Sequence, residues 1–119
     1  MPNIDSQKTA IIAVSDAFPH DGELTFRRMF GGICAYFNGR VFALITKLGL
    51  ALKLREKHRE QLLEEGGQIV QFGPDGPVMK NYIFVPEKLW AEESQFEAWA
   101  ERSVKYVLEL PPPKSRKKK

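Results

Sequence analysis

The stretch FRRMFGGICAYFNGRVFALITKLGLALKLR, residues 26–55, decides the fold of this chain. Its strongest local signal is Asn38-Gly39, because a two-residue type I′ turn needs positive φ at both positions and matches the twist of the strands it joins. The pair Gly31-Gly32 predicts a bend or bulge where the backbone needs positive φ or close approach. Together these signals predict a four-strand antiparallel meander. Its strands should cover residues 26–29, 33–37, 40–46 and 50–55.

Apolar periodicity predicts the elements on either side of the meander. A helix over residues 4–18 would bury Ile4, Ile11, Val14 and Phe18, and a short charged helix should cover residues 56–65. The Gly- and Pro-rich segment 73–77 should connect a second hairpin, formed by residues 69–72 and 78–85. We therefore predict an α+β fold: a two-layer sandwich of about six antiparallel strands, a meander plus a hairpin, with helices packed on one face. The expected order is α-β(3-4)-α-β2-α.

The last helix and the C-terminal segment divide the chain into a domain and a tail. Ser94 and Glu97 have the spacing of a capping box, which predicts a helix from about residue 94 to 108. Residues 111–113 are three prolines, and the six residues that follow contain nothing apolar to bury. We expect one domain over residues 1–110 and a disordered Pro-rich and basic tail over residues 111–119.

The positive charge of the chain belongs mainly to that tail. The formal net charge is +3, yet residues 1–113 carry 13 basic and 15 acidic side chains. The tail has two interpretations: a solubilising extension, or a segment that attracts nucleic-acid phosphates weakly and without sequence preference. Its basic residues are Lys114, Arg116, Lys117, Lys118 and Lys119.

Membrane insertion and secretion are not expected. The longest uncharged apolar run, residues 41–45, is far shorter than the ~20 residues of a membrane helix, and the N-terminus lacks the pattern of a signal peptide. The single cysteine, Cys34, fits a reducing compartment. We therefore expect a cytoplasmic protein.

The sequence offers no evident catalytic or metal-binding set. His20 and His58 have no ligand-type neighbours at recognised spacing, and Cys34 lies in a predicted strand, where core packing is its expected role. Gly31-Gly32 begins no phosphate-binding motif, because a strand follows it. We expect no enzyme activity, no catalytic residue, no metal and no cofactor.

Two features indicate contact with a partner instead. Alternation sends Arg27 and Arg28 to opposite sides of a strand, so at least one should lie near the packed face of the sheet or at its end. Its role is either structural, in an ion pair or a contact with a carbonyl group, or contact with an anionic ligand or partner. The run Val41 to Ile45 is apolar on both alternating faces, while a two-layer fold covers only one. Either a terminal helix covers the other face or a second molecule binds there, and we expect a protein partner or a homodimer. The candidate contact residues are Arg27, Arg28, Phe30, Phe42 and Leu44.

The same stretch carries a family resemblance. Arg28 to Gly32, the Asn38-Gly39 turn, the strands at residues 42–45 and 50–53 and the Val85-Pro86 exit resemble the N-terminal domain of the TfoX/Sxy family of bacterial competence regulators. The resemblance covers about residues 11–107 and implies an antiparallel α/β fold. It also implies transcriptional regulation together with the cyclic-AMP receptor protein, not catalysis.

The resemblance implies a second, helical C-terminal domain, and we expect this chain to have only the basic tail at that position. The resemblance therefore implies a non-enzymatic regulatory or protein-interaction module whose partner is a transcription factor or a separate helical domain. The alternative function is that of a nucleic-acid-associated accessory protein that uses the tail.

Overall fold

The structure is a computed structural model that describes residues 4–19, 22–29, 32–71 and 75–110. In chain order its elements are α1 (Ile4–Val14), a 3₁₀ helix (Ser15–Ala17), β1 (Leu24–Met29), β2 (Gly32–Phe37), β3 (Arg40–Thr46), β4 (Gly49–Lys53), α2 (Glu56–Glu64), β5 (Gln68–Gln71), β6 (Val78–Phe84), α3 (Glu87–Trp90) and α4 (Glu93–Glu109).

The six strands form one antiparallel sheet in the order β1-β2-β3-β4-β6-β5. Strands β1 to β4 are the predicted meander, and β5 and β6 are the predicted hairpin, whose second strand pairs with β4. The buried apolar residues of the helices all belong to a single core cluster, together with one face of the sheet. The predicted α+β fold is therefore confirmed.

The main core lies between the sheet and the helices. Ile11, Val14 and Phe18 are buried there, as the sequence predicts. The Phe18 ring makes edge-on contacts with Phe37 and Phe42, at centroid distances of 5.7 and 5.6 Å. Edge-to-face pairs of this kind are worth about 0.5–1.5 kcal/mol beyond the burial of their area. The contacts fix the end of α1 against the centre of the meander.

A β-bulge in the β2–β3 pair corrects one expectation from the sequence. Ala35 pairs with Ala43 but Tyr36 pairs with Val41, so Phe42 is the extra residue of β3. A bulge breaks the strict alternation of a strand. Phe42 therefore lies in the main core with no exposed surface, whereas strict alternation would place it beside Leu44 on the opposite face.

Ser103 of α4 holds the backbone next to this bulge. Its buried Oγ lies 2.8 Å from the carbonyl oxygen of Phe42 and 2.7 Å from that of Lys53, so its one proton is shared between two acceptors. The β3–β4 pairing ends just before these carbonyls, at the Ala43–Leu52 pair. The hydroxyl thus supplies a donor that the sheet does not.

The two glycine signals have different physical causes. Asn38 and Gly39 have φ values of 54° and 78°, which confirms the type I′ prediction of positive φ at both turn positions. At Gly32 the cause is close approach, because a Cβ atom there would lie 2.4 Å from the carbonyl oxygen of Ile45. Gly31 lies outside the described residues.

Three local details differ from the prediction or were missed by it. The α-helix of α1 ends at Val14, before the 3₁₀ helix. The prediction of a capping box was wrong, because the Ser94 hydroxyl donates to the Glu92 carboxylate at 3.2 Å. Gln7 is fully buried, and its side-chain amide makes two hydrogen bonds to the backbone of Thr46, which dock α1 on the end of β3.

Candidate functional site

The face of the sheet that points away from the helices, called the outer face below, carries a second apolar cluster made only of strand residues. Cys34 and Tyr82 in it are each 9% exposed and Leu44 is 8% exposed, so the centre of the face is largely withdrawn from water. Partly buried side chains pack around this centre. The cluster contains Cys34, Leu44, Ala51, Val70 and Tyr82, with Tyr36, Val41, Met79 and Phe84 packed against it.

The polar groups of this cluster are held in their neutral forms. Burial raises the pKa of Tyr82 to about 12, and the nearby Cys34 and Tyr36 act in the same direction. Burial also raises the pKa of the Cys34 thiol, although a hydrogen bond with the Tyr36 side chain opposes that shift. A thiol with a raised pKa is a poor nucleophile at neutral pH. Cys34 therefore has the packing role that its strand position predicts.

The charges of the sheet all have one sign. The six strands contain no aspartate or glutamate but five basic side chains. Arg27 is paired with Cys34 across β1 and β2, which places it on the outer face, and the Lys53 ammonium lies 5.8 Å from the centre of the Tyr82 ring. The outer face is thus an aromatic and apolar surface with a cationic border. The basic strand residues are Arg27, Arg28, Arg40, Lys53 and Lys80.

The structure separates the residues that the sequence grouped as contact candidates. Leu44 lies on the outer face, whereas Phe42 is removed from the candidate surface by the bulge. Phe30 and the tail residues lie outside the described residues. The tail residues are Lys114, Arg116, Lys117, Lys118 and Lys119.

Arg27 and Arg28 are both exposed and lie on opposite sides of β1, as the alternation predicts. Arg28 pairs with Ile33 on the helix side, but β1 is an edge strand of the sheet, so its side chain reaches solvent. Neither arginine forms an ion pair with another described residue. Both therefore remain available for contact.

The aromatic residues of this surface were missed by the sequence prediction. Tyr36, Tyr82 and Phe84 come from β2 and β6, which lie on different sides of β3 and β4. The alternation of Cys34 with Tyr36 gives a signal within one strand. The position of β6 beside β4, which brings Tyr82 and Phe84 to the same surface, has no counterpart in the local sequence.

Other chemistry in the described residues is sparse. They contain no group of three or more His, Cys, Asp or Glu side chains that could hold a metal ion. A cleft of about 420 Å³ beside the 3₁₀ helix is lined by residues that include Ser15, Asp16 and Phe37, and the Ser15 hydroxyl already donates to the carbonyl of Ile12. His20 lies outside the described residues. No helix in the described ranges has the length and apolar character to cross a bilayer.

Comparison with known proteins adds a family to this geometry. The model of the TfoX N-terminal domain matches residues 16–107 of the 119-residue chain, which include the whole sheet and most of α4. Comparison with curated proteins finds no significant match.

Proposed function

The chain belongs to the TfoX N-terminal domain family, and from that premise we propose that it is a regulatory module that acts by binding another protein, not by catalysis. The regulation is linked to competence or to transcription, as membership of this family suggests. The partner is a transcription factor or a separate helical domain, and the contact is made through the outer face of the sheet.

The observation that carries this proposal is the composition of the outer face. Protein interfaces are enriched in tyrosine, phenylalanine, methionine and arginine, and their energetic centres are aromatic or arginine side chains in desolvated surroundings. Tyr36, Met79 and Phe84 are partly exposed around a buried centre, and Arg27 lies at the border. These side chains, all from strands, therefore form a surface with the composition of a protein interface.

The charge of the sheet favours a separate protein over a second copy of this chain. In a face-to-face homodimer the strands of the second copy would bring no carboxylate to Arg27 or Lys53, because the strands contain none. Like charges that meet across an interface are costly. A partner whose surface is apolar at the centre and acidic at the border complements the outer face better.

The test compares two double variants of the full chain in capture from a native bacterial extract. In the first variant, Tyr36→Ser and Met79→Ser change the outer face. The matched control carries Ile12→Ser and Leu48→Ser, at side chains that are 50% and 61% exposed outside that face. Captured proteins are purified and titrated against each variant by calorimetry, and circular dichroism verifies folding.

We expect the outer-face variant to bind the purified partner about tenfold more weakly, and the control to bind it like the unchanged chain. Equal affinities for the two variants would refute the outer-face contact. Light scattering should show a monomer of the isolated chain. A dimer that Tyr36→Ser and Met79→Ser disrupt would show instead that the occupant of the face is a second copy.

A nucleic-acid accessory function is the second candidate, supported by the five positive charges of residues 114–119 and by the absence of acidic residues from the strands. It predicts DNA or RNA binding that disappears when residues 114–119 are deleted and that weakens steeply with salt. The protein-interaction function predicts partner capture that survives the same deletion.

A further inference from the structure

We propose that a second contact surface, where α2 and α4 meet, binds an acidic segment of a partner protein. This surface, called the cationic cluster below, consists of Arg55, Lys57, His58 and Arg102. It belongs to the helical layer, on the opposite side of the sheet from the outer face. The proposal therefore goes beyond the proposed function and does not depend on it.

Aromatic rings of α4 fix the two guanidinium groups of the cluster. Arg102 lies 4.6 Å from the centre of the Trp99 ring, and Arg55 lies 5.3 Å from the centre of the Tyr106 ring. A guanidinium group that stacks on a ring keeps its N–H edge free to donate to a carboxylate, and its orientation is set before the ligand arrives. Two donors of this kind are thus held along one side of α4.

The ring of His58 lies in a positive environment and has an unused polar atom. Its Nδ1 is buried and has no hydrogen-bond partner among the described residues. The charged groups that act on the ring are Arg55 and Lys57 on its own segment and Arg102 on α4, and all of them are cationic. A carboxylate placed here would reduce the repulsion within the cluster.

One internal carboxylate already occupies part of this surface. Glu109, the last residue of α4, forms an ion pair with Arg55 at 2.5 Å, although its side chain is 59% exposed. An acidic residue at a helix C-terminus is disfavoured by the helix dipole, so Glu109 is a replaceable partner. Arg102 forms no ion pair with any other described residue.

The surroundings favour an acidic peptide over a nucleic acid. Arginine clusters are a recurring means of recognising acidic motifs. Duplex DNA carries a negative charge every ~1.7 Å along its axis, so it would extend from the cluster onto neighbouring carboxylates. Those carboxylates are Glu56 and Glu60 on α2 and Glu101 and Glu109 on α4.

The experiment titrates the isotope-labelled full chain with a capped hexaglutamate peptide at low salt and follows the NMR signals of the Trp99 indole and the His58 ring. Hexaglutamine, a short DNA duplex and inorganic phosphate are the comparison probes. The basic tail will also attract hexaglutamate, so only the site-specific signals count. The variants are Arg102→Gln, Lys105→Gln and Glu109→Gln. Lys105→Gln is the matched control for Arg102→Gln, because it removes one positive charge from the same helix.

We expect both signals to move saturably with hexaglutamate and not with hexaglutamine. Arg102→Gln should weaken binding about three- to tenfold, Lys105→Gln should change it less than about twofold, and Glu109→Gln should strengthen it about twofold because Arg55 is released. The affinity for hexaglutamate should be unchanged in the outer-face variant with Tyr36→Ser and Met79→Ser. This result separates failure of this proposal from failure of the proposed function.

Several results would overturn the proposal. Equal effects of Arg102→Gln and Lys105→Gln would mean that only the net charge matters. Tighter binding of the duplex at the same signals would identify a nucleic-acid site, and equal affinity for phosphate would mean a site for small anions in general. Absence of any shift in the unchanged chain would leave no site at all.

Discussion

Replacing Ser103 with alanine tests whether the helical layer holds the bulge of β3 in place. The change removes the only hydroxyl that reaches the carbonyl oxygens of Phe42 and Lys53 among the described contacts, at 2.8 and 2.7 Å. A buried acceptor left without a donor costs about 1–3 kcal/mol. Alanine returns roughly 0.5 kcal/mol through its higher helix propensity. The net loss in the free energy of unfolding should therefore be about 1–2 kcal/mol.

The measurement is urea and thermal unfolding followed by circular dichroism. With an unfolding entropy of about 2 cal/mol/K per residue, the expected loss lowers the Tm by about 4–8 °C. Ser94→Ala is the matched control, because Ser94 lies on the same helix but is exposed, and it should change the stability by less than about 0.5 kcal/mol. If Ser103→Ala is as stable as Ser94→Ala, the two carbonyls do not need the hydroxyl and our explanation of the bulge is refuted.

Three further predictions concern single groups. Gly32→Ala should destabilise the fold by about 1–3 kcal/mol in urea unfolding, because the alanine Cβ would lie 2.4 Å from the Ile45 carbonyl oxygen. An alanine variant as stable as the unchanged chain would contradict that contact. In an ultraviolet titration Tyr82 should ionise at a pKa of about 12. Stability should fall between pH 10 and 12, because the unfolded chain loses this proton first. A Tyr82→Phe variant that titrates like the unchanged chain would disprove this. Burial, and then the surrounding Arg102, Arg55 and Lys57, lower the pKa of His58. The contribution of His58 to the free energy of unfolding should therefore be complete above pH 6.5 and be lost as the pH falls through its folded-state pKa. If His58→Gln leaves the difference in stability between pH 7.5 and 5 unchanged, His58 does not cause that difference.

The parts of the fold that the sequence predicts well are those decided by a few adjacent residues. The Asn38-Gly39 turn follows from the φ values that only such a pair adopts easily, and the flanking strands follow from it. Gly32 is similar, since a glycine between apolar strands indicates close backbone approach. The meander and the hairpin were predictable because each connection is short and antiparallel.

The wrong prediction for Phe42 shows that the alternation rule alone does not assign a residue to a face when the strand contains a bulge. Alternation along Val41 to Ile45 assigns Phe42 and Leu44 to one face, and only contacts with distant residues remove Phe42 from it. Those contacts are the Phe18 ring, at a centroid distance of 5.6 Å, and the Ser103 hydroxyl, which is 61 residues away in sequence. No sequence pattern within β3 predicts either contact.

The candidate surfaces were only partly predictable for the same reason. Leu44 was identified from its own strand, but Tyr82 joins it only because β6 inserts beside β4. The cationic cluster joins Arg55 to the ring of Tyr106, two residues that are far apart in the sequence. Surfaces of this kind depend on the strand order and on helix packing, which a single sequence specifies only through the complete fold.

The acid-free sheet also opposes edge-to-edge pairing between copies of this chain. An open sheet has unpaired backbone groups along its outermost strands, here β1 and β5, and such strands can template fibrils. On β1 the adjacent Arg27 and Arg28 place a positive charge on each side, so two β1 strands that approached each other would be repelled. Strand β5 has only four residues, too few for a long cross-β ladder. Both edges of the sheet therefore disfavour its growth, β1 through its charges and β5 through its short length.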